Sequence, residues 1–185
     1  MQADGAIQPA AADRVAQWLL RQWVWVIAGL LAIYAGLPWL SPLLRSLGFD
    51  RAGRLIFRLY STLCHQLPER SFFLGGYQVC YCHRCTALYS SLLLLSVLYG
   101  LGRWRWTISR RALLLLTLPM AIDGVWHVLD DLLPTLGLRS ADSSVGSLNF
   151  WLRMITGALF AAGVVLWGYP QLQRATQPLD SLSVR

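Results

Sequence analysis

CYCHRCTALYSSLLLLSVLYG, residues 80–100, sets three cysteines and a histidine directly before an apolar run. From 92 to 98 that run holds one serine and no charge, so it has no polar face to turn toward water. The rest of the 185-residue chain agrees: 56% of it is hydrophobic and 14% charged. A soluble domain carries roughly a quarter charged residues. Mean hydropathy is +0.47. Crossing ~30 Å of hydrocarbon takes about 20 helical residues. Four stretches reach that length: residues 23–44, 88–106, 112–133 and 150–169. The expected fold is therefore all-α, one membrane domain over 1–185. It is an integral bundle of four transmembrane helices, with an interfacial amphipathic helix and a Cys/His-rich loop, 45–87, between spans one and two. The first span lacks a basic start and a small-residue cleavage site and reads as a retained anchor. The tails, 1–13 and 175–185, carry no motif.

All 16 basic residues are arginine, against nine acids of which only Glu69 is a glutamate, giving net charge +7. In a soluble protein that balance suggests nucleic acid; beside membrane spans it suggests lipid headgroups, and nucleic acid is not an expected partner. Arginines divide almost evenly between the two faces of a four-span chain. The short connection 103–111, dense in arginine and free of acid, sets the termini in the cytoplasm and the cysteine loop outside.

Within the loop, Leu55, Ile56, Leu59 and Leu63 alternate with Arg51, Arg54 and Arg58 at helical spacing, the pattern of a helix lying at the headgroups. Pro68 ends that pattern, and Gly75-Gly76 supplies a turn before Cys80.

All four cysteines and two of the three histidines fall within 22 residues: Cys64, His65, Cys80, Cys82, His83 and Cys85. Cys82 and Cys85 have the two-residue spacing that brings two thiolates to one tetrahedral ion, or joins them in a disulfide. A helix N-terminus and Arg84 favour their thiolate forms. Cys64 with a histidine or Cys80 completes a zinc-like set. Neighbours in sequence seldom bind one ion together, which makes His65 a candidate supporting group as well as a candidate ligand.

The four-span topology brings the end of the third span and the start of the fourth to the cysteine face. Asp123, His127 and Asp130 share one helix face there, followed by Arg139 in the loop and by Asn149 and Arg153. Ionisable groups within a span are costly and face the bundle interior. For Asp123 and Arg153 a packing ion pair is the alternative to a chemical role. Gly157 and Ala161 form a small-residue packing surface.

CHQLPERSFF at 64–73, CHRCTALY at 82–89, PMAIDG at 119–124 and SLNFWLRMITG at 147–157 resemble the bacterial and archaeal membrane family called domain of unknown function 2085. The likeness runs from about residue 50 to 165 and implies a small multi-span protein of a prokaryotic cell membrane, with no established activity. It carries over Cys64, Cys82, Cys85, Asp123, Asn149 and Arg153. Cys80, His83 and His127 depart from the pattern, as does Ala87, which stands where glycine is usual.

Three functions fit these residues. One is a Cys/His site for a transition metal, zinc or iron. Another is an accessory subunit, in contact with other membrane proteins or with copies of itself. The third is a thiol–disulfide oxidoreductase resembling the four-helix quinone-linked proteins, for which quinone would be the cofactor. No nucleotide loop or Ser/His/Asp arrangement points to common soluble-enzyme chemistry.

Overall fold

The structure, a computed structural model, describes residues 11–102, 106–133 and 142–182, without the side chains of His127, Asp130, Asp131 and residues 177–182. The described residues are mostly helical. Its elements are α1 (Ala11–Ser46), α2 (Asp50–Tyr60), a 3-10 turn at Pro68–Arg70, β1 (Ser71–Leu74), β2 (Tyr77–Cys82), α3 (His83–Gly100), α4 (Arg110–Leu132) and α5 (Leu148–Leu182). Among the described residues two helices, α1 and the Leu148–Thr176 part of α5, are long and apolar enough to cross a membrane.

Proline shapes α1. Pro38 lies inside the helix and has no N–H, so the carbonyl four residues earlier, that of Tyr34, loses its intrahelical donor. Two hydroxyls replace it: Tyr60 donates to the Tyr34 carbonyl at 2.9 Å and Tyr81 at 3.2 Å. Burial raises the pKa of both phenols, which keeps them protonated as donors. One orphaned carbonyl thus ties α2 and β2 to α1.

The α2 helix folds back along the last third of α1. Arg45 meets Asp50, the Ser41 hydroxyl donates to the Gly53 carbonyl at 2.8 Å, and Tyr34 meets Tyr60. Contact is this close because residue 53 is glycine: a Cβ there would lie 2.4 Å from Arg45 Cγ and 2.7 Å from the Ser41 carbonyl oxygen.

The loop expected in an all-α fold instead contains a β-hairpin. Gly75 and Gly76 have φ of 58° and 81°, the double left-handed turn that suits the twist of a two-residue hairpin. Phe72, Phe73, Tyr77, Val79 and Tyr81 supply β-favouring side chains on either side. The register shifts between the Ser71–Cys82 and Phe73–Gln78 pairs, so Val79, Cys80 and Tyr81 are all buried in place of a simple alternation, and β2 ends at Cys82.

Among the described residues, α3 packs between α1 and α5, and α4 packs on α5. Gly157 permits the α3–α5 approach; a Cβ there would sit 2.7 Å from the Arg84 carbonyl oxygen. Aromatic layers mark both ends of the α1/α3/α5 unit. At one end Trp39 stacks on Phe72, which meets His83 and Phe150. At the other, Trp23, Tyr99 and Tyr169 touch one another, Tyr169 bonds Ser96 at 2.6 Å, and Tyr99 bonds Gln173.

Replacing both donors, Tyr60→Phe with Tyr81→Phe, strands the Tyr34 carbonyl and lowers stability by about 1–3 kcal/mol. The thermal midpoint of the detergent-solubilised chain reads this loss. In a Pro38→Ala background the restored amide at position 38 answers the carbonyl, and the same double substitution has a smaller effect.

Candidate metal centre

Three sulfur atoms converge where the hairpin enters α3. One ligand atom each from Cys64, Cys82 and Cys85 lies within 4.8 Å of the others. Cys82 and Cys85 come from the last residue of β2 and the first turn of α3; Cys64 comes from the turn after α2. All four cysteines are free thiols.

Each approach has a local cause. Tyr60, bound to α1 through its hydroxyl, holds the end of α2 four residues before Cys64, and Tyr81 does the same for the residue before Cys82. Gln66 fixes the turn between. Its backbone takes a left-handed φ of 50°, its side-chain amide donates to the Phe57 carbonyl at 2.8 Å, and its own carbonyl accepts from Gln78 of β2 at 2.7 Å. Ser71 donates to the Leu67 carbonyl and accepts from Gln78. The glutamine of the CHQ motif and the serine of the RS pair are thus joints of the scaffold.

Electrostatics inside the cluster favour one thiolate. The Cys64 and Cys85 thiols both donate to Cys82, and with the Arg84 charge they hold the Cys82 thiol well below the ordinary range. Cys64, sharing that proton with Cys82, is held above it. The backbone N–H of Cys82 also donates to Cys64 Sγ at 3.3 Å. Side chains around the sulfurs are aromatic: Tyr34, Tyr60, Tyr81 and Tyr89 pack with Cys64 and Cys80 in one buried cluster. The shell is mostly apolar with phenol edges.

The other Cys/His candidates stand apart from this group. Cys80 is fully buried in the same cluster, and burial pushes its thiol up. His65 is exposed. His83 is 1% exposed, edge-on to Phe72 and Phe150 at centroid distances of 4.7 and 4.8 Å. Burial, then the Arg153 charge, lowers its pKa.

That histidine leads into a second buried polar set on the α5 side of α3. Arg84 makes an ion pair with Asp123 that ties α3 to α4. Asn149 donates to the Asp142 carbonyl at 2.7 Å, and Arg153 is 3% exposed. The side chains of His127 and Asp130, and Arg139 entirely, lie outside the described residues. Sequence reading set Arg84 beside the thiols and left its pairing with Asp123, 39 positions away, unseen. It also missed the four tyrosines; Tyr34 standing four residues before Pro38 was the available signal.

The sequence pattern of a family described as predicted membrane protein (DUF2085) matches residues 64–167, beginning at Cys64 itself. The chain belongs to this family. An uncharacterized protein of Methanocaldococcus jannaschii is 30% identical over 118 residues, which cover 62% of this chain and 67% of that one. No solved structure matches. All three converging cysteines therefore fall inside the DUF2085 region, as do Asp123, Asn149 and Arg153.

In metal-free, reduced protein the ultraviolet absorbance of a thiolate is expected at neutral pH and vanishes with Cys82→Ser. Cys64→Ala removes one donor to that thiolate, so the midpoint of the absorbance moves to higher pH. A parent protein whose absorbance rises only in the ordinary thiol range would contradict the assignment.

Proposed function

We propose that this DUF2085 protein is a four-span membrane protein holding one transition metal ion, zinc or iron, on Cys64, Cys82 and Cys85 at the bilayer boundary. The observation that carries the reading is the three-way convergence of sulfur from two separate stretches of chain. A disulfide needs two thiols, whereas three within 4.8 Å suit a tetrahedral ion. With Zn–S of about 2.3 Å, tetrahedral geometry sets sulfurs about 3.8 Å apart, inside the 4.8 Å that bounds the three ligand atoms. Thiolate ligands select zinc or iron over hard cations. The fourth position falls to water, since His65 is exposed and stands apart from the three sulfurs.

Spacing along the helices supports the membrane reading. The two aromatic layers are separated by residues 23–39 in α1, 83–99 in α3 and 150–169 in α5. At 1.5 Å per residue those intervals measure about 24–28 Å, close to the hydrocarbon thickness. Aromatic rings gather at the two membrane interfaces. On α4, Leu114, Leu115, Leu118, Ile122, Val125 and Trp126 turn outward and exposed, as a fourth span facing lipid would. In this placement Cys82 and Cys85 lie at one boundary, and the ionisable set Arg84, Asp123 and Arg153 lies next to them inside the bundle. The arginine-rich 103–111 connection supports a reading in which the opposite boundary and the termini face the cytoplasm.

Full-length protein purified reduced in detergent and without chelator is expected to carry about one zinc or iron per chain. Elemental analysis of Cys64→Ser, Cys82→Ser and Cys85→Ser should each show near-complete loss, while Cys80→Ser keeps the metal. Equal metal content in all four variants would remove the reading.

A further inference from the structure

The outer face of α2 carries charge and apolar surface together. Arg51, Arg54 and Arg58 are exposed on it, and between them Leu55 and Leu59 are 61% and 63% exposed. Leu47 and Phe49, at the preceding turn, are exposed to the same degree. The inner face is filled by α1, through Gly53 and Tyr60. Asp50 is the one acid of the helix and pairs with Arg45 and Arg54. Beside it a surface groove of about 500 Å³ is lined by Gly48, Phe49, Asp50, Arg51, Ala52 and Arg54.

We infer that this face binds anionic phospholipid, with Arg51, Arg54 and Arg58 at the headgroup phosphates and Leu55 and Leu59 in the outer acyl region. A soluble anion would account for the arginines and leave the leucines in water. A zwitterionic lipid would cover the leucines and leave the charge of three arginines, offset by one aspartate, unanswered. Only a surface that is negative and apolar at once answers both. Position agrees: α2 folds back along α1 residues 34–45, and Trp39, in the middle of that stretch, belongs to one aromatic layer. The inference rests on that placement at the bilayer boundary and adds to the metal reading a lipid contact on the helix that leads into Cys64.

Native mass spectrometry of the delipidated full-length protein in non-ionic detergent tests it. Phosphatidylglycerol, phosphatidylcholine and inorganic phosphate are the probes. Phosphatidylglycerol should be retained over phosphatidylcholine, and inorganic phosphate should not displace it. Arg51→Gln with Arg58→Gln, which leaves the Arg54–Asp50 pair in place, should weaken phosphatidylglycerol retention by about tenfold or more, the scale of two arginines at an anionic surface. Arg110→Gln with Arg111→Gln, distant from α2, should leave it unchanged. Equal retention of the two lipids, displacement by phosphate, or equal loss in both double variants would each overturn the inference. Metal content measured on the same samples separates this outcome from the metal reading, because the α2 variant keeps all three cysteines.

Discussion

A missing amide at Pro38 organises the cysteine end of this molecule. Inside an apolar helix a stranded carbonyl is costly, and here the Tyr34 oxygen is answered by two side chains that arrive from different parts of the chain. Tyr60 brings the end of α2, and Tyr81 brings β2. Cys64 follows the first by four residues and Cys82 follows the second directly. The same bonds that satisfy one backbone oxygen therefore fix the spacing of two sulfurs, and the first turn of α3 adds the third. Phenol rings close over the site, lowering its polarity and strengthening interactions between the remaining charges.

From the cysteines the structure continues through α3 into a second polar layer. His83 lies between Phe72 and Phe150, while Arg84 reaches Asp123 of α4. One helical turn thus carries sulfur into the tyrosine cluster, an imidazole to Phe150 of α5 and a charge to α4. Buried ion pairs contribute little net stability against well-packed apolar alternatives. What Arg84 and Asp123 provide is geometry: they fix α4 against the turn that bears Cys82 and Cys85.

Long apolar runs were legible without coordinates, because α1 and the Leu148–Thr176 part of α5 each hold an apolar window long enough to cross a membrane. The C-x-x-C spacing at the start of α3 and the Gly75-Gly76 turn were equally plain, since both are local. The hairpin was not. Its strands are four and six residues long and are set between a proline-broken helix and a span, too short for alternation to stand out from the surrounding loop. Long-range partners escaped for a related reason: Tyr34 with Tyr81 and Arg84 with Asp123 are 47 and 39 residues apart, and no periodicity records them. Gln66, to which no role is assigned from sequence, holds three segments together through a left-handed backbone and two amide hydrogen bonds. Cys64, Cys82 and Cys85 were named as a set, but sequence could not separate them from Cys80, His65 and His83, which differ in burial and direction rather than in residue type.

A ligand-binding role for the three sulfurs is the claim on which the functional account stands. Crystals of the full-length protein, grown reduced and without chelator, with diffraction recorded on either side of the zinc and iron absorption edges, address it directly. The account predicts one anomalous peak bonded to Sγ of Cys64, Cys82 and Cys85 at about 2.3 Å. A disulfide joining any two of these residues, or three sulfurs in clear density with no scatterer among them, would contradict it.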